Sequence, residues 1–81
     1  MEIVFDQVKR DGNKEKHGFD FADLTVDFFA GSVVVPAKDN RWMAIGEFQE
    51  TIIAVVFAML GSEAISIISM RHASRKEREI R

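Results

Sequence analysis

Apolar and polar positions change period twice along this chain, and each change marks an element. Ile3 to Phe5 reads as a short strand, after which Val8 is the only large apolar residue before Phe19. Asp6 can cap a helix by accepting from its free N–H groups, and Gly18 can end it in the left-handed region, which predicts a helix to His17. Its apolar content is poor: only Val8, with Gly12 above it, is expected to pack closely on another element. Behind Asp20 and Asp23, Phe21, Leu24 and Phe28 recur at helical spacing beside Ala22, Val26 and Phe29, which predicts a core-forming helix ending near Ala30 and Gly31.

From there the period becomes two. Ser32 to Val35 is a short β-branched run ended by Pro36. Arg41 to Glu47 alternates Trp42, Ala44 and Gly46 against Arg41, Met43 and Ile45. Ile52 to Leu60 is continuously apolar and reads as the central strand. Ala64 to Met70 alternates Ile65, Ile67 and Ser69 against Ser66, Ile68 and Met70. Ser74 to Glu77 is a full capping box followed by few residues, so the helix it opens is expected to depend on docking. The fold class is therefore α+β: a short strand, two helices, an antiparallel meander of four strands and a short terminal helix, in one domain over residues 1–81.

Composition narrows the function classes. At 47% hydrophobic and 30% charged, the chain belongs with folded globular domains. A net charge of −2 gives no global attraction for polyanions, but residues 71–81 hold five basic groups against two acidic ones, so any such site is local. Without cysteine there is no disulfide, thiolate chemistry or cysteine-bound zinc. No signal-peptide pattern opens the chain, and its longest apolar run, Ile52 to Leu60, is far below the roughly 20 residues that span a bilayer as a helix; a cytoplasmic location and no membrane partner are expected.

The candidate chemistry gathers on the first helix. Lys9, Asn13, Lys16 and His17 fall within about 100° of one another at 3.6 residues per turn. His17, at the helix C-terminus, suits a proton donor or an electrostatic role better than a resting base. The plainer reading is a capping histidine bonding the last carbonyls. Lys9 and Lys16 can hold phosphates with Asn13 between them, or can simply form a solvated face. Arg71 and Arg41 offer planar forks for phosphate. Trp42 can stack a base or join the core, and Arg75 and Arg78 can reach RNA from the terminal helix. Glu47 is a weaker candidate base, and His72 has no evident role. No recognisable metal-ligand set occurs, so neither a metal nor another cofactor is expected.

The run Phe5-Asp6-x-x-Lys9-x-x-x-Asn13-x-x-Lys16-His17-Gly18-x-x-Phe21 resembles the opening signature of the BrnT family, ribonuclease toxins of bacterial type II toxin-antitoxin modules. Two further blocks agree in order: Arg41-x-x-x-Ile45-Gly46, and Ile67-Ile68-Ser69-Met70-Arg71-x-Ala73-x-x-x-Glu77-Arg78. The resemblance implies a RelE-like fold and endoribonuclease activity that stops translation. It also implies a complex with a BrnA-like antitoxin, through which alone operator DNA would be engaged. Departures from the family pattern are Ala58 and Leu60, where a threonine and a basic residue are usual, ISMR in place of ISAR, and a missing terminal aromatic.

Two readings follow. The first is a metal-independent endoribonuclease toxin with His17, Arg71 and Lys16 catalytic and Lys9, Asn13, Arg41, Trp42, Arg75 and Arg78 contacting RNA. The second is a catalytically weakened binding module that acts through its antitoxin in operator repression. Under either, an exposed apolar surface is expected where the antitoxin docks.

Overall fold

The computed structural model describes residues 1–81. Strand β1 (Glu2–Phe5) leads into helix α1 (Gln7–His17), a 3-10 turn (Phe21–Asp23) and helix α2 (Val26–Ala30). Strands β2 (Val33–Ala37), β3 (Arg41–Phe48), β4 (Thr51–Leu60) and β5 (Ala64–His72) follow, and helix α3 (Arg75–Ile80) ends the chain. The five strands form one sheet in the order β1-β5-β4-β3-β2. The meander is antiparallel as expected, with β4 central. The first strand does not stand apart from it: β1 adds to β5 in parallel, Glu2 opposite Ala64 and Phe5 opposite Ile67. No helix is long and apolar enough to cross a membrane.

Three local departures from the expected pattern have physical causes. The helix expected over residues 20–30 is two short pieces, because Leu24 and Thr25 take extended backbone and the Thr25 side chain starts α2 by accepting from the Phe28 N–H. Asp20 does cap, but alone, accepting from the Ala22 N–H. Strand β2 continues through Pro36, tolerated because β2 is a sheet edge where a missing N–H costs no ladder bond. In β5 the pairing jumps from Val56–Ser69 to Phe57–Ile67, leaving Ile68 as a bulge. One extra residue exchanges the faces, so Met70 joins Ile65 and Ile67 inside and Ser69 goes with Arg71 to the other side.

Phe21, Leu24 and Phe28 all reach the core as their spacing predicts, packing over Ala44, Ile53, Val55, Phe57, Ile65, Ile67 and Met70. Phe21 is fully buried, a burial that stabilises by about 1.5–3 kcal/mol. A smaller cluster of Ile45, Ala54 and Ala73 occupies the opposite face of the sheet.

Candidate functional site

Helix α1 is held by polar contacts rather than by an apolar stripe. Val8, expected to pack, is 77% exposed, and a Cβ at Gly12 would meet nothing within 4 Å. The buried residue is Asn13, 7% exposed. Beyond Phe5, β1 no longer covers β5, and the Asn13 amide takes its place: Nδ2 donates to the Met70 carbonyl at 2.9 Å and Oδ1 accepts from the Met70 N–H at 3.0 Å. The second Nδ2 hydrogen goes to the Phe19 carbonyl at 3.1 Å. The expectation that Asn13 touches RNA is therefore corrected. Its amide is committed to the backbone, and it acts by fixing where α1 sits.

The other ties set the helix ends. The Asp6 carboxylate accepts from the Lys9 N–H at 3.0 Å, and the Gly18 N–H, at φ 78°, closes the last turn on the Lys14 carbonyl. Arg10 grips Asp20 through Nε at 2.7 Å and Nη2 at 3.0 Å, with Lys14 3.8 Å from the same carboxylate. Arg10 and the Ala22 N–H hold the Asp20 carboxyl well below the usual carboxylate range.

So anchored, α1 and β5 enclose a shallow depression of about 360 Å³ lined by Lys9, Gly12, Asn13, Lys16, His17, Ile68 and Ser69. Lys9 and Lys16 are exposed and His17 is half-buried. On the helix, Asp11 and Glu15 lie about 200° and 240° from Lys9, so no carboxylate of α1 competes on this face. The helix C-terminus contributes only about half an elementary negative charge, less than the two lysines carry, so the depression is cationic. No cluster of three or more His, Cys, Asp or Glu side chains occurs that could hold a metal ion.

Arg71 lies two residues beyond Ser69 on the same face of β5, roughly 7 Å along the strand, but it does not line the depression. Nor is it an unpaired cation. Its Nη1 and Nη2 donate to Glu77 Oε1 and Oε2 at 2.7 and 2.9 Å, and Nη1 also reaches the His72 carbonyl at 3.2 Å. Glu77 Oε1 accepts from the Ser74 N–H at 2.8 Å, closing the capping box. Arg71 above all, then Ser74, holds the Glu77 carboxyl down at about 2. Since α3 buries no residue of its own, the Arg71–Glu77 pair is what ties it to β5, while the box fixes its first turn.

The remaining candidates stand elsewhere. Arg41 and Trp42 open β3, two strands from β5. Trp42 lines an apolar depression of about 340 Å³ with Val34, Phe57 and Met59, where no cation accompanies it. Arg75 is fully solvated beside Glu79, and Arg78 is exposed on α3. Glu47 is exposed on β3, and the His72 ring packs 4.8 Å from Phe19. Leu60 pairs with Ala64 at the far end of the ladder that joins Arg71 to Ala54; six residues of strand separate them, roughly 20 Å. Two contributors escaped the sequence reading. Ser69 could have been found as the same-face neighbour of Arg71, and Glu77 as an acid close enough in sequence to pair with it.

The model of the BrnT ribonuclease toxins of type II toxin-antitoxin systems matches residues 5–77, a span that includes every residue lining the cationic depression. The chain belongs to the BrnT family. It is similar to the Brucella abortus ribonuclease toxin BrnT, whose crystal structure at 1.1 Å superposes with a TM-score of 0.86 at 55% identity, covering 93% of this chain and 99% of that one. No curated protein matches the chain.

Proposed function

We propose that this chain is a metal-independent endoribonuclease toxin that acts in the cytoplasm, stops translation by cutting RNA, and is held in check by a BrnA-like antitoxin in a hetero-oligomer. The observation that carries the reading is the convergence of Lys9, Lys16 and His17 on one depression, with Ser69 opposite them. In this mechanism the 2′-hydroxyl of RNA attacks the adjacent phosphorus and the P–O5′ bond breaks, leaving a 2′,3′-cyclic phosphate and a 5′-hydroxyl. His17 gives its proton to the departing 5′-oxygen. The proton of the 2′-hydroxyl passes to solvent, since no carboxylate lines the depression. Lys9 and Lys16 face the phosphate as its charge grows, with Arg71 at the rim; preorganised charge of this kind is often the largest catalytic contribution. Dependence on the 2′-hydroxyl would restrict the enzyme to RNA.

The weakened-module alternative rests on Ala58 and Leu60. The position of Leu60 weighs against it, because it lies four residues along β4 from Val56, the partner of Ser69, roughly 13 Å from the nearest strand position that faces the depression. The deciding experiment combines growth arrest on expression with cleavage of purified RNA in excess chelator, for the wild type and for His17→Ala and Lys16→Ala. Cleavage in chelator that both substitutions depress supports the proposal. Wild-type protein that binds its antitoxin but leaves RNA intact would favour the alternative.

A further inference from the structure

Two arginines in this protein hold carboxylates bidentately, and they use different edges. Arg10 spends its Nε and one Nη2 hydrogen on Asp20, the side-on edge of the guanidinium, and its Nη1 reaches Gln7 Oε1 at 3.4 Å. Arg71 meets Glu77 end-on through Nη1 and Nη2, with the other Nη1 hydrogen on the His72 carbonyl. A guanidinium has five donors in a rigid plane. Three of those on Arg71 are used, and the two left, Nε–H and the second Nη2 hydrogen, lie parallel on one edge. That edge is the fork that receives two phosphate oxygens. The Arg71 side chain is half-buried and held at its end by Glu77, and neither the Nε–H nor the second Nη2 hydrogen has a partner within the protein.

We infer that Glu77 is a positioning residue for Arg71: it clamps the guanidinium by its end so that the Nε–Nη2 edge is presented, preorganised, to an RNA phosphate beside the α1 depression. The inference rests on the function proposed above and adds a residue to it. The clamp is well built for this purpose, because Glu77 Oε1 is itself held by the Ser74 N–H at the start of α3. Terminal helix and arginine are thereby oriented as one unit. Charge sets what the clamp does. Arg71 and Glu77 together are neutral, so the pair adds little long-range attraction for RNA; it contributes direction, which counts most when phosphate charge develops during cleavage.

The test is single-turnover cleavage of a short RNA over a range of enzyme concentrations, using Glu77→Gln, Ser74→Ala and Arg71→Ala, with thermal melting of each variant. In Glu77→Gln the second carboxylate oxygen is replaced by a donor, which breaks the bidentate clamp while keeping shape. The expected result is a maximal cleavage rate about tenfold lower with half-saturation unchanged or at lower enzyme concentration, because the site has gained a positive charge. Ser74→Ala removes the hydroxyl that accepts from the Glu77 N–H but keeps the Ser74 N–H and both oxygens of the Arg71–Glu77 pair, so its cleavage rate should stay within about twofold of wild type. A rise in rate for Glu77→Gln would show that Glu77 masks Arg71 instead, and would overturn the inference. Equal losses in Glu77→Gln and Ser74→Ala would reduce Glu77 to a helix anchor and overturn it as well. Arg71→Ala separates the two levels: if it cleaves normally, Arg71 has no place in the function proposed above; if it is impaired while Glu77→Gln is not, only the positioning inference fails.

Discussion

Two depressions of nearly equal size, about 360 and 340 Å³, lie on opposite sides of this sheet's centre and have opposite linings. The one between α1 and β5 presents two lysines and a histidine around Ser69. The one across β2, β3 and β4 is lined by Val34, Trp42, Phe57 and Met59 alone. Size does not distinguish them; chemistry does. A phosphate finds donors and positive charge in the first and nothing in the second, whose solvent-facing Trp42 and Met59, 38% and 49% exposed, suit an apolar partner group.

The largest expected effect follows from that contrast. His17→Ala should lower RNA cleavage by about 10²- to 10⁴-fold, the range for loss of a general acid, whereas Trp42→Ala should stay within about twofold. A reversed ranking in a gel-based cleavage assay would move the active site to the apolar side. Next in size is Asn13→Ala, which strips the partner from the Met70 N–H and carbonyl. Each buried group left unpaired costs about 1–3 kcal/mol, so the urea midpoint should fall strongly.

A smaller effect is confined to the charged side and depends on pH. The folded-state value of Glu77 is lowered from 4.5 to about 2, so its stabilisation of α3 is complete above about 4.5 and is lost as pH falls through about 2. The Ser74 amide resonance, whose N–H meets Glu77 Oε1, should hold its position on acidification until that lower value is approached. Movement centred on the ordinary carboxylate range would mean that the pair does not form in solution. The smallest effect belongs to Gly12, where an added methyl finds open space inside the polar depression. Gly12→Ala should stabilise the fold by up to about 1 kcal/mol through helix propensity and, by narrowing the floor, slow cleavage modestly.

Much of the frame was legible in the residues because local rules decide it. Asp6 and Gly18 bound α1, Ser74 and Glu77 open α3, and the Phe21, Leu24, Phe28 spacing marks what faces the core. What was illegible depends on contacts distant in sequence. Nothing near Asn13 announces that Met70 will take its amide, so it reads as a surface donor among lysines. The alternation through β5 misplaces Met70 because the Ile68 bulge is set by pairing with β4. The helix face could be read as a phosphate wall, but the sheet's share of the site could not. Arg71 looks free until α3 folds back and brings Glu77 onto it.

The amide of Asn13 has a consequence for how copies of this protein meet. By imitating the backbone of a missing strand, it seals the stretch of β5 that β1 is too short to cover, while at the other margin of the sheet Pro36 deprives β2 of a donor. Open strand edges are templates on which a second chain adds itself. Removing Asn13 therefore acts on more than stability: it leaves the Met70 N–H and carbonyl without a partner on that margin, and Asn13→Ala should self-associate more strongly than the parent chain in sedimentation.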